Sequence, residues 1–117
     1  MPEADWPKIQ IFAVYDGHGG NQCAEYLKEH LHNEIIMQPD FPHNINAAIM
    51  KGAHKTDQNY LDLVYKEYQQ TQKINNCKSG SCGNLVMTLN DDIYIINVGD
   101  SRAIGSKNNG SISIDLS

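Results

Sequence analysis

The 117-residue sequence has no hydrophobic run that approaches the roughly 20 residues needed to cross a bilayer. Its first seven residues have neither a basic start nor an apolar core, so they do not form a secretory signal. It also lacks a basic cluster, because its nine lysines and arginines are scattered singly. These absences predict no membrane insertion and no nucleic-acid partner, and they favour an intracellular, cytoplasmic protein.

Cysteine is scarce as well. Cys23, Cys77 and Cys82 make an odd count without a zinc-type CxxC pair, which predicts free thiols in a reducing compartment. We interpret Cys23 and Cys82 as small buried hydrophobic residues rather than reactive groups. Aromatic residues make up only 8% of the chain and apolar residues 40%, a balance that suits one modest core. The length fits residues 1–117 forming a single domain or part of one.

The hydrophobic periodicity changes along the chain from strand to helix and back to strand. A first strand is predicted from Ile9 to Tyr15, ending at Asp16. One helix is predicted from about residue 20 to 37, and a second, capped by Asn44, into the early seventies. A loop from Thr71 to Ser79 follows. Three tyrosines of the second helix are interpreted as packing residues: Tyr60, Tyr65 and Tyr68.

The C-terminal part shows strand patterns separated by turn residues. The predicted strands are Asn84–Leu89, Ile93–Val98, Arg102–Ser106 and Ser111–Leu116, with turns at Asn90-Asp91-Asp92 and Asn109-Gly110. The apolar run Ile93–Ile96 is expected to be buried on both faces. One strand, two helices and an antiparallel meander predict an α+β fold.

A glycine-rich segment, Asp16-Gly17-His18-Gly19-Gly20, follows the first strand. Glycine allows close approach of the backbone to a ligand, and carboxylate and carbonyl oxygens are the ligands that Mg²⁺ and Mn²⁺ prefer. Asp16 and the Gly17 carbonyl are therefore candidate metal ligands, with His18 available for proton transfer. Asp-Gly is also a common turn pair, so spacing alone leaves a simple turn as the alternative.

Three separated segments carry a resemblance to a known family. They are Phe12-Ala13-Val14-Tyr15-Asp16-Gly17-His18-Gly19-Gly20, then Ser79-Gly80-Ser81, then Ile96-Asn97-Val98-Gly99-Asp100-Ser101-Arg102-Ala103. In this order the sequence closely resembles the PP2C (PPM) family of metal-dependent serine/threonine protein phosphatases. The resemblance implies a partial version of a layered antiparallel β-sandwich flanked by helices.

The resemblance also implies roles for particular residues. Asp16 matches a carboxylate ligand shared by two metal ions, Mg²⁺ or Mn²⁺, and the Gly17 carbonyl matches a ligand of one of them. His18 matches the general acid that protonates the leaving oxygen, and Asp100 an acidic residue of a further metal position. The family reaction is direct attack of a metal-bridging water on phosphorus. For Arg102 we favour a salt bridge within the fold over phosphate binding.

The sequence also departs from the family pattern. A strand carrying a phosphate-binding Arg and a Glu-Asp pair is expected before Ile9, and two more metal-binding aspartates are expected beyond Ser117. The threonine usual after Ser-Gly-Ser is Cys82. The resemblance thus covers about half of the family's domain. Because a divalent cation needs about six oxygens, we expect the chain alone to be a weak phosphatase or inactive.

Two further readings remain open. The first is a pseudophosphatase that keeps the fold as a scaffold or as a subunit of a larger assembly. The second is a simple metal-binding or phosphate-sensing domain. The expected partners of the leading reading are phosphoserine and phosphothreonine proteins, and exposed sheet edges are expected to favour association.

Overall fold

The computed structural model describes residues 7–72 and 78–116. Its elements are β1 (Ile9–His18), α1 (Gln22–Ile36), α2 (Ile45–Thr71), β2 (Gly80–Leu89), β3 (Asp92–Val98), β4 (Ile104–Lys107) and β5 (Ile112–Asp115). The predicted α+β class is confirmed. The middle of the predicted loop, with Cys77, lies outside the described residues. By internal contacts the chain divides into two compact units, one from residue 17 to 81 and one made of residues 7–16 and 82 onward.

The helices of the first unit begin where the sequence predicts. The Asn44 Oδ1 atom accepts a hydrogen bond from the Ala47 N–H at 3.2 Å, so the predicted cap of α2 is confirmed. Asn21 stands at the N-cap of α1 but makes no capping bond with its side chain. No helix in the described part of the chain combines the length and hydropathy needed to cross a membrane.

One narrow face of α2 is buried, and it packs against α1 within the first unit. Its buried residues recur every three or four positions, as a helical stripe requires: Ile45, Ala48, Gly52, Thr56 and Tyr60. The middle of this stripe is made of small side chains. At Gly52 the two helices approach so closely that an added Cβ would lie 2.7 Å from the Ile35 Cα atom.

Tyr60 is 8% exposed and its ring centroid lies 5.2 Å from that of Tyr26, so it packs as predicted. Tyr65 and Tyr68 are 62% and 38% exposed, and the packing interpretation is wrong for them. The buried residues of α2 end at Tyr60, and the described residues of the helix after it are exposed or half-buried.

The second unit contains antiparallel strands. The sheet order is β1-β2-β3, and β2 pairs with β3 from Gly83↔Val98 to Leu89↔Asp92. The hairpin turn uses Asn90 in the left-handed region, at φ 52°. The Asn90 N–H donates to the Lys8 carbonyl at 2.9 Å, which fixes the start of β1 beside the end of β2.

Strands β4 and β5 pair with each other in a separate two-stranded sheet. Their turn passes through Asn108, Asn109 and Gly110, all at positive φ. This matches the turn predicted at Asn109-Gly110. The last predicted strand is shorter in the structure, and its residues are exposed.

The most buried strand is β2, on which Leu85, Met87 and Leu89 alternate at 2%, 1% and 6% exposure. In β3, by contrast, Ile93 is 66% exposed and the next three residues are half-buried. The expectation that Ile93–Ile96 is buried on both faces is therefore wrong. An apolar run shows the capacity for burial, but the described residues do not cover this strand fully.

Candidate active site

Asp16 and Asp100 lie at the same end of the three-stranded sheet, within the second unit. Asp16 follows Tyr15, which lies alongside Gly83 near the start of β2. Asp100 comes two residues after Val98, the residue of β3 that pairs with Gly83. Both acidic residues are exposed. The sheet thus brings these two residues to one end, on either side of β2.

The loop that carries Asp100 is attached to β2 by Cys82. The Cys82 Sγ atom donates to the Asp100 Oδ1 atom at 3.3 Å. Gly99 lies so close that a Cβ there would collide with the Cys82 sulfur, and its φ of 106° disfavours any other residue. Cys82 and Cys23 form no disulfide bond, as predicted, but both are half-buried rather than fully buried.

Asn84, two residues after Cys82 in β2, holds the same loop by hydrogen bonds. Its side chain is 8% exposed, and in the amide orientation that satisfies its neighbours Oδ1 accepts from the N–H groups of Arg102 and Ala103, each at 3.2 Å. The Ala103 carbonyl in turn accepts from the Leu116 N–H at 2.8 Å. One buried amide therefore ties the Asp100 loop to the central strand.

Replacing Asn84 with alanine is expected to destabilise the fold by about 1–3 kcal/mol, because two loop N–H groups lose their acceptor. Urea unfolding measures the free energy, and hydrogen exchange should quicken at the Arg102 and Ala103 amides. Thr88→Val is the control, since it removes a half-buried polar group from the same strand. Unchanged exchange at both amides would contradict this role of Asn84.

Arg102 forms an ion pair with Asp115, with Nε 3.7 Å from Oδ2. The structural role favoured from the sequence is thus present in the fold. Both side chains are more than half exposed, so the pair adds little to stability.

Gly17 and His18 begin the first unit and are exposed. The structure extends β1 through both of them, rather than ending it at Asp16 as predicted. Likewise β2 begins at Gly80, four residues before the predicted Asn84. Strand pairing is made by the backbone, so it continues where the apolar pattern has already stopped.

The turn after His18 leads into α1 and is bonded to the residues before β2. Gly19 and Gly20 have φ values of 65° and 119°, which the tight reversal needs. The Ser79 Oγ atom accepts from the Cys23 N–H at 2.9 Å, so Ser79 satisfies a helix N-terminal donor that Asn21 leaves open. His18 therefore lies in a segment connected to α1 and to Ser79.

A cleft of about 300 Å³ opens beside His18 within the first unit. Its lining includes Cys23, Asp57, Tyr60, Ser79 and Gly80. Burial, and to a lesser degree the Asp57 carboxylate, raises the pKa of the Cys23 thiol. Cys23 thus stays protonated at neutral pH and is unsuited to be a nucleophile. Burial also raises the pKa of Tyr15, next to Asp16, so its phenol is neutral.

The donors for a metal ion are suitable in kind but few in number. Asp16, Asp100 and the Gly17 carbonyl offer hard oxygen ligands of the type that Mg²⁺ and Mn²⁺ take. Across the residues that the structure describes, no three His, Cys, Asp or Glu side chains gather closely enough to hold a metal ion. Further ligands would have to come from water or from other protein segments.

Two contributors to the site were not identified from the sequence. The sequence indicates Ser79 only as part of a small-residue motif and Asn84 only as the start of a predicted strand. The available signal for Asn84 was an amide immediately before the apolar run Leu85-Val86-Met87. A buried amide needs partners, and it commonly finds them in neighbouring loop backbone.

The family model described as "Protein phosphatase 2C" matches residues 3–116. "Probable protein phosphatase 2C 52" of Oryza sativa subsp. japonica is 36% identical over 110 residues, covering 94% of this chain and 21% of that protein. "Probable protein phosphatase 2C member 13, mitochondrial", also from rice, is 34% identical over 107 residues, covering 92% and 27%. "Probable protein phosphatase 2C 76" of Arabidopsis thaliana is 34% identical over 106 residues, covering 91% and 23%.

The chain spans between about a fifth and just over a quarter of these three relatives. One of them carries a mitochondrial label, so the cytoplasmic location stays a prediction. The match of the family model to nearly the whole sequence confirms the resemblance read from the three motifs: the chain belongs to the protein phosphatase 2C family.

Proposed function

We propose that this chain is part of a metal-dependent protein serine/threonine phosphatase that hydrolyses phosphomonoesters. The observation that supports this most directly is the arrangement of Asp16 and Asp100 at one end of a sheet, in a chain of this family. The expected substrates are phosphoserine and phosphothreonine proteins. The cofactor is Mg²⁺ or Mn²⁺, since the candidate ligands are hard oxygens.

Asp16 and the Gly17 carbonyl would hold the metal pair, and Asp100 would serve a further position. Asp100 lies beyond the end of β3, and its carboxylate accepts a hydrogen bond from the Cys82 thiol of β2. When bound, the divalent cations activate a water nucleophile and screen the charge on the phosphoryl group.

His18 acts on the leaving group. As the bond between phosphorus and the serine or threonine oxygen breaks, an imidazole N–H donates its proton to that oxygen. The leaving group then departs as a neutral alcohol rather than as an alkoxide. General acid catalysis of this kind contributes about 100-fold to 10,000-fold in rate. The exposure of His18 leaves it accessible to a protein substrate.

Metal titration of the 117-residue chain and of the intact natural polypeptide that carries it tests the proposal. We expect the intact polypeptide to hydrolyse a phosphothreonine peptide with Mn²⁺ or Mg²⁺, to lose activity in EDTA and to regain it on adding metal. The 117-residue chain should turn over weakly or not at all, because it offers few ligands. Metal-independent hydrolysis, or none in the intact polypeptide, would overturn the proposal.

A scaffold that keeps the fold without catalysis is the second candidate. It is favoured by the lack of a three-residue ligand cluster among residues 7–72 and 78–116. Calorimetry separates the two, since micromolar Mn²⁺ binding by the intact polypeptide is expected of the phosphatase only. Stable binding of a protein partner without metal or turnover would favour the scaffold.

A further inference from the structure

We propose that Gly80 is a positioning residue for His18: its missing side chain leaves the space that the imidazole ring occupies. The inference rests on the proposed role of His18 as general acid and names the residue that sets its place. Both residues belong to the first unit, and both line the same cleft.

The ring of His18 lies directly against the Gly80 Cα atom. A Cβ added at Gly80 would collide with the His18 Nε2 atom and lie 2.9 Å from Cε1 and 3.3 Å from Cδ2. Distances below 3.0 Å are essentially never found for a Cβ, so alanine at this position forces a displacement. Three of the five ring atoms are affected, including one of the two nitrogens that can carry the transferred proton.

Space, and not backbone conformation, is the reason for glycine here. Gly80 is not among the glycines at positive φ, so its backbone is open to alanine. It also lies in β2, where glycine weakens a strand and where any other residue would ordinarily be preferred. The proximity of the His18 ring accounts for the exception.

The backbone around Gly80 has little freedom to absorb an added methyl group. The neighbouring Ser79 accepts the hydrogen bond from the Cys23 N–H at 2.9 Å. On the other side of His18, Gly19 lies against the Lys78 carbonyl so closely that a Cβ there would collide with it. Lys78, Ser79 and Gly80 thus each contact or bond to a residue between His18 and Cys23. The imidazole, which is exposed, is the part free to move.

The test compares Gly80→Ala with Gly83→Ala in the intact natural polypeptide. Gly83 lies three residues further along β2, and a Cβ there would meet its neighbours at 3.7 Å, an ordinary contact. Both variants add the same methyl group to the same strand. Imidazole ¹H–¹³C resonances at one pH report the position of the ring, with the His18 signal identified by its loss in His18→Gln.

We expect Gly80→Ala to shift the His18 ring signals while Gly83→Ala leaves them unchanged. For a phosphothreonine peptide with saturating Mn²⁺, kcat of Gly80→Ala should fall roughly 10-fold to 100-fold with KM changed by less than about twofold. The loss should not add to that of His18→Gln, because both changes remove the same proton transfer.

Unshifted ring signals in Gly80→Ala would overturn the proposal, and so would equal shifts in both variants. A kcat loss that multiplies with that of His18→Gln would overturn it as well. If the wild-type polypeptide shows no hydrolysis, the proposed function fails, while the ring signals still report whether Gly80 positions His18.

Discussion

The Asp16→Asn variant of the intact polypeptide is expected to lose at least about 100-fold of its Mn²⁺-dependent kcat/KM. Removing a residue that only hydrogen-bonds to a metal ligand already lowers metal affinity or activity by about 10-fold to 100-fold. Asp16 is proposed to contact the ions directly, so its loss should have a larger effect. Asparagine keeps the size and one oxygen of the side chain but removes the negative charge. The loss should therefore appear together with weaker Mn²⁺ binding in calorimetry, while the fold is kept.

Two comparisons sharpen the Asp16 experiment. Asp62→Asn removes an exposed carboxylate of α2 that is not a candidate ligand, and should leave both activity and metal affinity unchanged. Asp100→Asn should have a smaller effect than Asp16→Asn, since Asp100 is proposed to serve the further metal position. If Asp16→Asn retains wild-type turnover and metal affinity, Asp16 is not a ligand.

Replacing Gly52 with alanine is expected to lower the free energy of unfolding by about 2 kcal/mol. Helix propensity alone favours alanine by about 1 kcal/mol. The added Cβ, however, would lie 2.7 Å from the Ile35 Cα atom and 2.8 Å from its N and Cγ1 atoms. Because two of these three atoms are backbone, the helices must separate, and overpacking of this kind costs about 3 kcal/mol.

Urea and thermal unfolding of the 117-residue chain measure this effect, and the melting temperature should fall by about 10 °C. Met50→Ala serves as the control, because Met50 is 73% exposed on the same helix and its truncation should cost less than about 0.5 kcal/mol. A Gly52→Ala variant more stable than wild type would show that propensity decides and that α1 and α2 pack loosely.

Local signals in the sequence were sufficient for the helices. The Asn44 cap came from side-chain chemistry and the second helix from hydrophobic spacing, and both depend only on nearby residues. Spacing could not explain why a glycine stands at position 52. A glycine on a buried stripe is compatible with loose packing or with close approach, and only the position of Ile35 distinguishes the two.

The ends of the strands at the site were harder to predict. The sequence predicts His18 in a turn and Gly80 ahead of a strand that starts at Asn84, yet the two residues lie in β1 and β2. Hydrophobic alternation indicates which side chains are buried. The pairing of β1 with β2 joins residues that are far apart in the sequence, so it depends on the fold of the whole chain. The attachment of Asp100 to Cys82 and of the Arg102 backbone to Asn84 has the same origin.

The last part of α2 is expected to unfold locally more easily than the rest of the helix. All the buried residues of this 27-residue helix lie between Ile45 and Tyr60, whereas Leu61, Leu63 and Tyr65 are more than half exposed. Segments with few buried contacts open at a lower free energy than the rest of a fold. The final three turns should therefore unwind and re-form while the stripe around Gly52 stays closed, and within α2 a protease should cut these turns before the buried part.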